Sequence, residues 1–503
     1  MTAGDRYSEL VRHTQEAALV QSSAATLEWE QQTTLPSRGG EYRAKQLAYL
    51  AGLHHDLATR PRIGELLAEL EGSAGQMDPA SVEAVNIREI RHQYQRSTKL
   101  PKTLVEALAE TCSLAQQEWA IARRERSFER FRPWLEKVLR LTQEKGRALD
   151  AAAPLYDTLL DEYERGAKTS EVADLFTRLR KPLVDLVASI AGSSRQAPVE
   201  ILSRHYPVDR QQFFGEMAAA EIGFDFQRGR LDVTTHPFCT TLGPHDCRIL
   251  TRYNPNAFCE SFFGILHEAG HGLYEQGLDP EHFGTPMGES VSLGIHESQS
   301  RLWENMVGRS RPFWERFFPR AQGVFREALA TTALDDFYFA INGVSPSFIR
   351  VEADEVTYNL HVLIRFELEQ SLVTGDLPVG EVPAAWNEKY RQYLGICPSH
   401  DAEGCLQDVH WSAGLIGYFP TYTLGNVYGA QLFAKADQAL GGMDELMGRG
   451  DFPVLLDWLR TNIHRQAKRY VPSELVRHAT GESPSPEALV KSLRAKLSPL
   501  YQL

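Results

Sequence analysis

The sequence predicts a mostly α-helical fold with one small β element near its middle, and three observations carry that expectation. Leu, Ala, Glu, Gln, Lys and Arg recur with a period of about 3.6 residues from Ser81 to Asp150. Just after Arg228 the composition shifts to β-branched and aromatic residues. Helical patterning returns after Asn254 and runs to the C-terminus.

Taken in order, residues 1–200 read as a helical scaffold. The stretch LVEALAETCSLAQQEWAIARRE shows one apolar and one charged face, and Pro101, Pro133 and Pro154 are expected to interrupt the helices. RGRLDVTTHPF and DCRILTRY, with Gly243-Pro244 between them, read as short strands of a small hairpin or sheet. The later helices break around PSFIRVE and at the loop ICPSHDAEG. There is no internal repeat and no low-complexity linker, so residues 1–503 are expected to form a single domain. Within it, 230–430 carry the chemistry and 431–503 add C-terminal helices.

Composition excludes several functions. The 503 residues carry 66 acidic against 53 basic side chains, a formal charge of −13. Such a chain has no generic attraction to nucleic acid or to anionic membranes. The start, MTAGDRYSEL, has no secretory pattern, and no apolar run approaches the roughly 18 residues that span a bilayer. Six cysteines without a CxxC pair suit reduced thiols. A cytoplasmic protein is expected.

The sharpest motif is His267-Glu268-Ala269-Gly270-His271, inside AFCESFFGILHEAGHGLYEQG. Phe258, Phe262, Ile265, Leu266 and Leu273 give that segment helical spacing, and Gly277 marks its stop. Residues four apart share a helix face, so both imidazoles can reach one tetrahedral ion. Glu268, rotated by about 100°, sits beside the ion as a general base for water. A catalytic zinc needs a third protein ligand. The acids downstream are Glu275, Glu281, Glu289, Glu297 and Glu304. ESVSLGIHESQSRLWENMVG reads as a second helix with Leu293, Ile295, Leu302 and Met306 as its apolar positions. Glu297 falls among them, where burying a carboxylate is costly unless it meets a cation. The bland alternative is a solvated acid or a salt-bridge partner.

With these residues in view, the chain resembles the carboxypeptidase Taq family of metallocarboxypeptidases. The shared motifs are HPF at 236–238, HExxH, HESQ at 296–299, IRVEAD at 349–354 and GCLQDVHW at 404–411. WEQQTTLP at 29–36 is similar to an N-terminal family segment, with Glu30 and Leu35 in place of the usual Asp and Met. DCRIL at 246–250 ends in Leu250 where the family pattern has Thr, and Thr251 is the nearest substitute. The resemblance implies a large helical metallopeptidase fold with a deep central groove. It implies release of single C-terminal amino acids with broad specificity, using zinc or sometimes cobalt, in a homodimer. By it, Glu297 is the third ligand.

A carboxypeptidase must grip a terminal carboxylate, for which an arginine fork is suited. Arg350 is the first choice and Arg248 the second, each set against an ion pair with Asp354 or Asp246. His410, Tyr418 and Tyr422 are the candidate donors to the oxyanion. Gln407 is a substrate-facing or orienting amide, His236 a groove residue, and His296 an outer partner of the metal. Cys239, Cys247 and Cys405 lie near the motifs without a poised base. The rival readings are a helical HExxH endo-oligopeptidase or dipeptidase, and an inactive helical peptide-binding protein.

Overall fold

The structure is a computed structural model that describes residues 2–75 and 77–503. The first half is a run of amphipathic helices: α1 (Ala3–Thr33), α2 (Gly40–Ala58), α3 (Pro61–Ala74), α4 (Val82–Lys99), α5 (Lys102–Glu125), α6 (Phe128–Leu149), α7 (Leu155–Leu160), α8 (Thr169–Ala191) and α9 (Val208–Glu221). Pro101 and Pro154 cap α5 and α7 as expected. Pro133 does not interrupt; it is the sixth residue of α6. The carbonyl that it leaves unbonded belongs to Glu129, on the exposed first turn, where water can take it. Phe128, Phe131, Leu135 and Val138 meanwhile bury the opposite face, and that packing carries the helix through.

The β element has three strands, β1 (Gly229–Val233), β2 (Cys239–Gly243) and β3 (Asp246–Thr251), in the order β1-β3-β2. β2 and β3 form the hairpin, and β1 adds parallel to β3. The metal-motif helix α10 (Phe258–Glu275) lies against this sheet, with Cys247 Sγ 3.9 Å from the Gly272 carbonyl. Ser22 of α1 donates to the Leu242 carbonyl, tying the N-terminal helix to the same sheet.

The predicted second helix is α11 (Leu293–Arg301), capped by Ser292, whose hydroxyl accepts from Ile295 N at 3.1 Å. It runs on as a π-helical turn, Leu302–Val307, which periodicity alone does not reveal. Then follow α12 (Arg311–Val324), α13 (Arg326–Leu329), α14 (Leu334–Ile341), α15 (Thr357–Thr374), α16 (Val382–Leu394) and α17 (Pro420–Leu440). The last four are α18 (Met443–Arg449), α19 (Phe452–Asn462), α20 (Pro472–Thr480) and α21 (Glu487–Tyr501). One continuous apolar core reaches from Ala115 to Tyr501, and a smaller cluster of Leu10, Ile63, Leu66, Leu67, Leu70, Ile87 and Ile90 joins α1, α3 and α4. α11 lies deep in the large core, packed between α10 and α17.

Candidate active site

Two glycines decide how close those helices come. A Cβ on Gly270, inside the HExxH motif, would lie 2.6 Å from Ser300 Cα of α11. A Cβ on Gly425 of α17 would lie 2.5 Å from Glu297 Cγ. α11 is thus clamped between two bare backbone surfaces, and Glu297 is pressed towards α10. Its Oε2 lies 3.6 Å from His267 Nε2 and 3.4 Å from His271 Nε2. One donor atom from each of the three residues falls within 4.8 Å of the others, and they form the one such His, Cys, Asp and Glu cluster among the described residues.

The donor set fits a small divalent cation. His267 Nδ1 donates to Glu304 Oε2 at 3.0 Å, and His271 Nδ1 donates to the His296 carbonyl at 3.1 Å. Both partners are acceptors, so the proton sits on Nδ1 and the Nε2 lone pairs face Glu297. Burial disfavours charge on His267, but Glu297 and Glu304 outweigh it and raise its pKa, so the pocket favours a positive charge facing Glu297, which a bound cation supplies. Burial, helped by His296 and His267 and outweighing Glu297, pushes His271 down to about 3, which keeps it neutral and ready to ligate. Burial works against Glu297 as well, but Arg301, with Nε 2.7 Å from Oε1, and the two imidazoles hold its carboxyl well below the usual range. Arg301 also donates to Glu304 at 3.2 Å. Glu297, Arg301 and Glu304 recur on one helical face and form a single charged rail.

On the other side of His271, the His296 ring stacks on the imidazole at 4.4 Å. His296 Nε2 bonds Glu275 Oε1 at 2.9 Å, and Thr241 of β2 donates to Glu275 Oε2 at 2.9 Å. Glu275 is therefore an outer partner. Glu268 makes no hydrogen bond to any described residue and is 6% exposed. Burial pushes its carboxyl up to about 7 in the absence of a cation.

The arginine expectations divide. Arg350 is buried, but its partner is Asp408, not Asp354: Nε and Nη2 donate to Oδ1 at 3.0 and 2.8 Å. Asp354 instead caps α15 through Thr357. Arg350 Nη1 donates to Tyr358 OH at 3.0 Å, and its guanidinium lies 4.8 Å from the Tyr422 ring. Across the Tyr358 ring lies Arg301, at 4.4 Å. That tyrosine joins the carboxylate grip to the metal rail. Arg248 is held by Asp246 with two bonds of 2.9 Å, the ion pair set against its substrate role, and lies 4.1 Å from the Trp29 ring.

His410 Nε2 shares a hydrogen bond of 3.1 Å with Tyr422 OH, and burial pushes His410 down to about 4. Tyr418 and Tyr422 pack at 5.3 Å, close enough to Glu297 for its charge to act on both phenols. Gln407 is corrected from a substrate contact: its amide accepts from Arg350 N at 2.8 Å and donates to the Phe348 carbonyl and Tyr390 OH. A fully engaged amide holds Arg350's backbone instead of a ligand. His236 lies exposed between β1 and β2 without a side-chain bond to another described residue, so the structure does not show a packed histidine there. Leu250 is buried, and the buried Thr251 hydroxyl has no partner, so Thr251 does not replace a lost polar contact. All six cysteines are unpaired.

Two cavities share Ser290 and Lys468, and neither is lined by the three clustered residues themselves. One of about 560 Å³ lies between α1, β2 and Glu275. The other, about 470 Å³, lies between α4, Tyr163 and Leu293. Tyr163 packs on Tyr418 at 5.2 Å, which brings that cavity to the edge of the site. Sequence reasoning missed Tyr358, Arg301 and Arg365. All three are polar residues inside helices, with no motif to mark them.

A model of the carboxypeptidase Taq (M32) metallopeptidases matches residues 9–497. The chain is 48% identical over 510 residues to thermostable carboxypeptidase 1 of Thermus thermophilus, covering 100% of both. It is 36% identical over 481 residues to carboxypeptidase 1 of Bacillus subtilis, covering 96% of both. Among solved structures, the M32 carboxypeptidase from Deinococcus radiodurans is similar at a TM-score of 0.95 and 40% identity, covering 99% of this chain and 100% of that one.

Proposed function

The chain belongs to the carboxypeptidase Taq family and is a metallocarboxypeptidase, and from that premise we propose how its residues divide the work. His267, His271 and Glu297 hold the metal, which is zinc, with cobalt as an effective substitute. When bound, the ion supplies Lewis acidity at the scissile carbonyl and lowers the pKa of water to about 7. Arg350 receives the terminal carboxylate of the peptide. That contact sets the register, because it leaves only the last peptide bond over the ligands. Glu268, free of internal hydrogen bonds, takes a proton from the attacking water and returns it to the leaving amine. His410 and Tyr422, with Tyr418 beside them, donate to the oxygen on which negative charge develops. The upstream peptide lies in the cavities that meet at Ser290 and Lys468.

The observation that carries this reading is the placement of Arg350 one tyrosine away from the Glu297–Arg301 pair. A guanidinium at that distance suits a terminal carboxylate, which an endopeptidase substrate does not present there. The acidic charge and unpaired cysteines support a cytoplasmic enzyme; the homodimer rests on the family resemblance. Mass spectrometry of a peptide digest, with and without chelator, tests the reaction. A ladder shortened in single steps from the C-terminus, absent with chelator, is expected. Internal cleavage, or loss of residues in pairs, would refute it.

A further inference from the structure

Arg350 does not hold Asp408 alone. Arg365 of α15, fully buried, donates to the other oxygen, with Nε 2.7 Å from Asp408 Oδ2, and Nη1 reaches the His361 carbonyl at 2.8 Å. Two guanidinium groups therefore share one carboxylate, one on each oxygen. Among the described residues no other carboxylate lies within ion-pair distance of either. Nearby groups do not supply the missing charge. His361 and His410 are kept neutral by burial. Glu369, one turn further along α15, accepts from Tyr156 OH, Trp411 Nε1 and Gly417 N at 2.7, 2.9 and 3.0 Å and acts on Arg365 only from beyond ion-pair distance. In direct contact, then, two positive charges meet one negative charge.

A lone buried Arg–Asp pair is neutral, and Asp408 would then repel an arriving carboxylate. With Arg365 on its far oxygen, Asp408 is already neutralised. The extra positive charge is cushioned by aromatic faces: Tyr358, Phe419 and Tyr422 around Arg350, and Trp386 at 4.5 Å from Arg365. Arg350 also keeps spare donors. Three of its N–H groups go to Asp408 and Tyr358, and a guanidinium has about five.

We propose that Arg365 is a positioning residue for substrate recognition: it neutralises Asp408 from behind, so that Arg350 carries a full positive charge that the peptide's terminal carboxylate completes. The proposal rests on Arg350 being the carboxylate grip, and the test separates the two.

The zinc-loaded enzyme is assayed on an N-acyl dipeptide with a free C-terminus, and metal content is measured for every variant. Arg365→Met is expected to raise KM about tenfold or more with kcat little changed, as loss of a binding charge does. The second substitution, Asp408→Asn in the Arg365→Met background, restores one unbalanced guanidinium and is expected to bring KM most of the way back. Arg365→Lys keeps the charge and is expected to rescue the single variant likewise. A merely structural arginine predicts the opposite, since the double variant would be worse than the single. If Arg365→Met does not fold, a KM for Arg365→Lys as high as that of Arg350→Ala overturns the charge argument. If Arg350→Ala raises KM while Arg365→Met leaves it unchanged, Arg365 has no such role. If Arg350→Ala itself leaves KM unchanged, the underlying assignment falls instead.

Discussion

Glu268 and Glu297 are both buried carboxylates beside imidazoles, yet their surroundings drive them apart. Burial dominates Glu268, raising it to about 7, whereas Arg301 and the two imidazoles overcome burial at Glu297. One is poised to exchange a proton and the other to stay charged against a cation. That difference predicts separable losses. Glu268→Gln is expected to cut kcat by about a hundredfold or more while metal content, measured by elemental analysis, stays near one ion per chain. Loss of the metal along with activity would make Glu268 a ligand. Arg350 makes the complementary case for binding. Arg350→Ala is expected to raise KM for a free-ended peptide by about tenfold or more, and to change inhibition by the C-terminally amidated analogue far less. Equal effects on both ligands would remove the carboxylate from the argument.

At the scale of elements, the site depends on how tightly α11 is held between α10 and α17. Periodicity explains why each of these segments is helical, but not why they approach so closely. Gly270 and Gly425 do explain it, because the backbone of one helix rests where a Cβ of the other would stand. Gly270→Ala must push α11 away, at a cost of about 1–3 kcal/mol from overpacking, and carry Glu297 with it. Its melting temperature should fall, and it should gain less than wild type on adding zinc. Gly323, in α12 with nothing within 4 Å of an added Cβ, is the contrast. Gly323→Ala should be neutral or stabilise by about 0.5–1 kcal/mol. A Gly270→Ala protein that melts and binds zinc like wild type would refute the clamp.

For the whole molecule, the buried ionisable groups set the response to acid. Burial lowers His464 to about 3 and His410 to about 4 from the ordinary imidazole value of 6.5, and His361 well below it. The folded state disfavours these protons. Their contribution to stability is present above 6.5 and is lost as pH falls towards the folded values. Glu164 and Glu369 act in the opposite sense, since burial raises both to about 7 from 4.5. Their contribution is present below 4.5 and is lost as pH rises through 7. The two sets oppose each other between 4.5 and 6.5, and below 4.5 only the histidine loss continues. Asp408, held low against burial by Arg350 and Arg365, adds to that loss. The urea midpoint of the metal-free protein should therefore change little from pH 6.5 to 4.5 and drop steeply below it. A midpoint that holds to pH 3 would contradict these burials.

The sequence by itself determined what is local. Helical content follows from side-chain period, and the two imidazoles follow from a four-residue spacing within one helix. The strands between Arg228 and Thr251 were readable from β-branched composition, and the family from motifs in fixed order. Glu297 was legible from its place in the second helix and from the HESQ motif; only the tertiary structure showed Glu304 and Glu275 bonded to His267 and His296 behind it. Only it showed that Arg350 answers to Asp408, 58 residues away, and not to Asp354 close by. The physical reason is one of range. A helical turn satisfies its own backbone with neighbours, so its signal repeats in the sequence. A buried charge is satisfied by whatever group packing brings within reach, and packing here is set by two glycines and a π-helical turn that leave no periodic trace.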